Sequence, residues 1–213
     1  MLTMSNQTWK ELVEENGRLV TERIVEPGVF ATGVGPSYKS GGLLYVGKSA
    51  GPLGNLVGSG GDQAESIVAS TSWMIERRNR SAFWQLVDLI DPTRRTIAWT
   101  NISKMDERGG GRPPREQIFL RFSAACLRAL KEEMLYLRPK VSLFATSHIY
   151  GRHVDTVLQN LGFVIQAAPI EDGITMLLSN RQRQHVLLTR HPQGWTRECR
   201  DRVVTVVKSL LVH

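Results

Sequence analysis

The chain has 213 residues, 41% hydrophobic and 22% charged, which suits one globular domain with a proper core and excludes wholesale disorder. Lys and Arg number 27 against 20 Asp and Glu, a formal charge of +7, and a basic surface favours polyanions: nucleic acid first, an anionic membrane second. With only Cys126 and Cys199 present, neither a disulfide framework nor a four-cysteine zinc or iron–sulfur site can be built, and no window approaches the ~18–20 apolar residues of a membrane span.

Trp9, Leu12 and Val13 give the N-terminal stretch the spacing of a short amphipathic helix, without the apolar h-region of a secretory leader. A Pro/Gly-punctuated connection follows from Pro27 to Gly42, so residues 1–40 read as a helix and a connection ahead of the sheet. "LLYV" at 43–46 is short, apolar and bounded by glycines, as in a buried strand. "DQAESIVASTSWMIERR" places Ala64, Ile67, Val68, Thr71, Met74 and Ile75 on one helical face, with Asp62 and Glu65 at capping-box spacing. "RSAFWQLVDLIDP" is a shorter helix stopped by Pro92.

"TIAWT" at 96–100 reads as a strand, and "PREQIFLRFSAACLRALKEEMLYLRP" as one long helix with Ile118, Phe122, Ala125, Ala129 and Leu137 along one side. Next come a strand at 141–145, a helix around "HVDTVLQNLG" ended by Gly162, and strands near 164–167 and at 185–189. The last segment has Cys199, Val203, Val206 and Leu210 at helical spacing, with a strand as the competing reading because of its valines. Alternating strands and helices predict a single α/β domain, a three-layer αβα sandwich around a central, mainly parallel sheet. Ligands of such folds bind at the carboxyl ends of the strands.

Residues 42–49, "GLLYVGKS", match the pattern of a nucleotide-binding loop, but the match fails physically. A phosphate loop curls with its N–H groups inward, whereas Leu43 to Val46 belong in a sheet. What is left is a glycine-rich loop at the end of a central strand, where close backbone approach to a ligand is possible. Two more strand ends carry polar residues. Asn101 follows Thr100 and either reads the edge of a base or turns the chain. His191 lies in "RHPQGWT", as a donor to a developing anion or as an exposed turn residue. Trp195 beside it either packs as a staple or is presented outward.

From about Gly42 to Leu211 the chain resembles the uracil-DNA glycosylase superfamily. Gly47-Lys48-Ser49-Ala50-Gly51 is similar to its first motif, Phe83-Trp84 to the Phe-Trp helix of several branches, Thr100-Asn101 to its Thr-Asn strand end, and His191-Pro192-Gln193-Gly194-Trp195 to its closing His-Pro motif. The resemblance implies a monofunctional DNA glycosylase: the chain extrudes uracil or another altered base, hydrolyses the N-glycosidic bond and leaves an abasic site. Gly47, Lys48, Ala50, Gly51 and Asn101 would hold the base, His191 would stabilise its departing oxygen, and the 47–51 loop would place water. Trp195 would fill the vacated stack, and Arg190, Arg197 and Lys104 would grip phosphates.

The chain departs from the family where Ser49 replaces the usual carboxylate or amide and Ala50 the usual proline. Asp62 is the candidate to supply the missing group from outside the motif. These departures leave open a bulky phage-type modified cytosine as substrate, or a DNA-binding member of the fold with weak chemistry. The reading requires no metal or other cofactor. It places a monomer in the cytoplasm, associated with the nucleoid and with duplex or single-stranded DNA, in base-excision repair or phage defence.

Overall fold

The computed structural model describes residues 3–49, 62–76, 80–109, 114–146, 151–167 and 174–212. The apolar run after Gly42 forms β2 (Leu43–Gly47), every residue of which is buried. It lies between β3 (Ile97–Asn101) and β4 (Val141–Ala145), parallel to both. β4 pairs in parallel with β7 (His185–Thr189). These four strands are the parallel centre of a seven-stranded mixed sheet.

Its edges are antiparallel. β1 (Gly33–Val34) lies against β3, β6 (Ile174–Ser179) against β7, and β5 (Val164–Ala167) against β6. The resulting order is β1-β3-β2-β4-β7-β6-β5. β1 and β6 leave no clear signal in the sequence, for different reasons. Two residues are too few to show a period, and an antiparallel strand needs no helix before its neighbour, so β6 falls outside strand–helix alternation.

Seven helices occur among the described residues: α1 (Asn6–Thr21), α2 (Gln63–Ile75), α3 (Ala82–Ile90), α4 (Glu116–Phe119), α5 (Ser123–Leu137), α6 (Gly151–Asn160) and α7 (Arg197–Val212). Period-two alternation in the strands feeds two apolar clusters. Leu44, Val46, Ala98 and Phe144 pack with α1, α4, α5 and α6 through Leu12, Phe119, Leu130 and Leu158. Leu43, Tyr45, Trp99 and Leu143 pack with α2, α3 and α7 through Met74, Trp84 and Val203. The C-terminal valines therefore face a helix's buried side, which resolves the helix-or-strand alternative. None of the described helices is long and apolar enough to cross a membrane.

Two expected helices differ in detail. The single long helix is broken between α4 and α5, where Phe122 leaves the helical region at φ −131° and its N–H donates to the Phe119 carbonyl at 3.1 Å. The turn buries both rings, edge to face at 5.7 Å, which one straight helix with its stripe at Ile118 would not do. In α2 the buried face is rotated from the expected one. Val68 is 65% exposed, whereas the polar Gln63, Ser66 and Ser70 are buried.

Hydrogen bonds account for Gln63 and tie Thr71 to β1, whereas the buried Ser70 hydroxyl has no partner among the described residues. The Gln63 carbonyl oxygen accepts from the Thr3 N–H at 3.0 Å, and Thr71 Oγ1 accepts from the Val34 N–H at 2.9 Å. Satisfied polar groups can face a core, and hydropathy alone does not anticipate it. Met74→Ala is therefore expected to cost ~2–5 kcal/mol in urea melts, and Val68→Ser less than ~0.5 kcal/mol.

The basic surface is smaller than the composition suggests. Arg94 is fully buried; its Nε and Nη2 reach Asp88 at 2.8 and 3.1 Å, its Nη1 donates to the Met74 carbonyl at 3.1 Å, and it lies over the Trp84 ring at 4.4 Å.

Candidate active site

The parallel ladder between β2 and β3 continues past both strand ends. Ile102 N–H donates to the Gly47 carbonyl at 2.9 Å and Ser103 N–H to the Lys48 carbonyl at 2.8 Å. Residues 47–49 are thereby held against 101–103. Gly47 sits opposite Asn101, and a Cβ on Gly47 would lie 2.3 Å from the Asn101 amide and 3.2 Å from the Phe83 ring. Only a residue without a side chain fits there. Gly47→Ala is expected to displace the Asn101 amide and cost ~1–3 kcal/mol, measured by thermal melts with a spectrum that retains the native fold.

Asn101 is 1% exposed. The inner end of its amide faces two carbonyls, where an oxygen would be repelled. The nitrogen therefore occupies that end, donating to the Ser49 carbonyl at 3.2 Å and the Thr100 carbonyl at 3.3 Å. Turning the chain is the role this arrangement shows, with the amide N–H groups fixing the loop.

Phe83, in the first turn of α3, joins the two sides of the site. Its carbonyl accepts from the Tyr45 hydroxyl at 2.9 Å, and the Tyr45 ring lies 4.1 Å away, so β2 fixes the ring's position. On Phe83 lies His191, nearly parallel at 18° with ring centroids 6.3 Å apart. The β7 loop and the β2 loop therefore meet over this aromatic.

Burial pushes the His191 imidazole below its usual pKa, and the nearby Lys48 charge pushes it the same way. The ring is neutral at pH 7. Gln193 N–H donates to His191 Nδ1 at 3.3 Å, so the ring proton sits on Nε2. A neutral ring with a fixed N–H donor is suited to charge that develops on a ligand oxygen. Burial also lowers the pKa of Lys48, which like Ser49 is half-buried.

The β7 end is tied down separately. Thr189 Oγ1 donates to the Phe144 carbonyl at 2.9 Å, and the turn closes through Trp195 N–H on the Pro192 carbonyl at 3.2 Å. Thr196 Oγ1 caps α7 by accepting from Cys199 N–H at 3.2 Å.

Of the residues expected at the site, Gly47, Lys48, Ser49, Asn101 and His191 are brought together; Ala50 and Gly51 lie outside the described residues. Three assignments change. Lys104 does not grip phosphate, because its side chain is 0% exposed and its Nζ is 2.7 Å from Glu133 Oε2. Asp62 is the N-cap of α2, its carboxylate accepting from Ala64 N–H at 2.7 Å, which is the work its capping-box spacing announced. Trp195 is half-buried against the α3–α7 cluster with its indole N–H inside, so it packs as a staple.

Arg190 and Arg197 are exposed; Arg197 is paired only loosely, at 3.7 Å, with Asp201. Phe83 is the site residue that the sequence motifs did not single out as functional. Its signal was the Phe-Trp pair in the first turn of a helix. Neither a protein-family model nor a curated protein matches the chain.

Proposed function

We propose that the chain is a monofunctional DNA glycosylase that hydrolyses the N-glycosidic bond of an extruded uracil or other modified base and leaves an abasic site. The observation that carries this reading is the neutral His191 donor over Phe83, beside a loop locked by Asn101, at the carboxyl ends of the central parallel strands.

In this mechanism the C1′–N bond breaks with its electron pair leaving on the base, and the negative charge that reaches the base oxygen is met by Nε2–H of His191. The sugar left behind is oxocarbenium-like and needs a positioned water more than a strong base. The Ser49 hydroxyl and the main chain of 47–49 place that water; its oxygen bonds to C1′ and its proton passes to the departing base or to solvent. Arg190 and Arg197 hold the flanking phosphates in a salt-dependent way. In this reading the domain is a three-layer αβα sandwich that acts as a monomer in the cytoplasm.

In this reading the Asn101 oxygen meets the base, which admits a second substrate. An acceptor pairs with uracil N3–H, but equally with the N4 amine of cytosine, whose bulky modified forms are the alternative. Incubation with oligonucleotides carrying uracil, thymine mispairs and modified cytosines, followed by alkali, tests both. Strand breaks on one of these and not on plain DNA are expected. Intact strands throughout, with salt-sensitive DNA binding unchanged in Asn101→Ala, would leave the weak-chemistry DNA-binding reading.

A further inference from the structure

At the opposite end of the sheet, outside the amino-terminal ends of β2, β4 and β7, lies a cleft of about 930 Å³. It is unrelated to the candidate active site and falls within the ~300–1,000 Å³ of small-ligand sites. Its wall carries Arg138, Lys140 and Arg183, and no acidic residue is among its described lining. Leu135 and Leu161 add an apolar surface, of which Leu135 is 55% exposed, and the buried Phe163 backs it.

Main-chain hydrogen bonds brace this rim. Gly41 N–H donates to the Arg138 carbonyl at 2.9 Å, Lys140 N–H to the Gly42 carbonyl at 3.0 Å, and His185 N–H to the Lys140 carbonyl at 2.8 Å. The Gln184 side-chain amide donates to the Pro139 carbonyl at 3.1 Å. The cations are therefore mounted on a fixed frame.

Arg138 and Arg183 stand at φ 45° and 58°, where an L-residue with a side chain is disfavoured and glycine is the default. Arg94, also at positive φ, has a structural task in its Asp88 pair and Trp84 stack. Arg138 and Arg183 form no ion pair among the described residues, so their guanidinium groups have no comparable task inside the fold.

We propose that this cleft binds a nucleotide, its phosphate forked by Arg138 and Arg183 and its base laid on Leu135 and Leu161. Planar guanidinium groups match phosphate oxygens two at a time, and an apolar surface suits a base better than a bare anion. The nucleotide is either free or one unit of a strand. The same chemistry serves both, and the proposal does not rest on glycosylase activity.

Calorimetric titration of the full chain with AMP, inorganic phosphate and a single-stranded oligonucleotide tests it. The variant is Arg138→Gly/Arg183→Gly, which deletes both side chains while relieving the left-handed backbone, so its melting temperature is expected to hold or rise. Saturable AMP binding, weakened about 10-fold or more in the variant and unchanged in His191→Ala, assigns a free nucleotide. Oligonucleotide binding alone weakened to that degree assigns a strand. Inorganic phosphate binding as tightly as AMP, no binding of AMP or oligonucleotide, or affinities untouched by the double glycine substitution would each overturn it.

Discussion

Glu133→Ala is expected to cost about 3–5 kcal/mol, enough to unfold much of a domain whose whole stability is of order 5–15 kcal/mol. Lys104 Nζ lies 2.8 and 2.7 Å from the two Glu133 oxygens and 2.6 Å from Thr100 Oγ1. The Thr100 hydroxyl donates to Glu133 at 2.8 Å, and Thr32 donates to the other carboxylate oxygen. Both charged side chains are 0% exposed, and the Phe30 ring lies 5.7 Å from the ammonium. Removing the carboxylate leaves a buried cation without its counter-charge, and the cost is that of isolation more than of a lost attraction.

The double variant Lys104→Met/Glu133→Leu separates those two causes. Replacing a buried pair by apolar groups of similar volume is near neutral or better, so most of the stability is expected to return, less about 1 kcal/mol for each threonine hydroxyl left without its acceptor. Urea melts of the wild type, the single and the double variant give the comparison. A double variant as unstable as Glu133→Ala would mean that the pair itself, and not the stranded charge, sustains this corner of the fold.

The same lysine shows where the sequence was opaque. "TNISKMDER" offers Lys104 as a surface cation after a strand, and nothing within that stretch predicts a glutamate 29 residues on whose carboxylate claims it. Charge counts have this weakness in general, and Arg94 repeats it. What was legible depended on short-range order: Leu43–Gly47, Ile97–Asn101 and Val141–Ala145 are buried strands because short, mostly apolar runs bounded by turns have little else to become. The break between α4 and α5 was hidden because helical spacing persists through "IFLRF", and the decision to turn is made by a core that wants both phenylalanines. At the site, strand ends predicted that Gly47, Asn101 and His191 face one region. Phe83, the ring on which His191 rests, comes from a helix, so strand-end logic passes it by.

On the proposed function, His191→Ala is expected to lower base excision on the order of 100- to 1,000-fold, with DNA affinity little changed, because the lost donor would act on charge that exists only in the transition state. The pH dependence identifies the donor. Burial first and the Lys48 charge second hold the imidazole below its ordinary 6.5, so the neutral form is already dominant at pH 7 and the acid limb of the rate profile lies below 6.5. Lys48→Met removes the smaller of the two causes and is expected to move that limb upward, still short of 6.5 because burial persists. Stability follows the same proton. An unfolded chain takes it up on passing below about 6.5 while the native ring resists, so this contribution is present above that pH and is lost as the pH falls through the lowered native value. Single-turnover rates and a histidine ring titration by NMR, run on the wild type and Lys48→Met, measure both. A limb that coincides with 6.5 in the wild type, or that ignores Lys48, would show that His191 titrates as an exposed turn residue and donates nothing to the departing base.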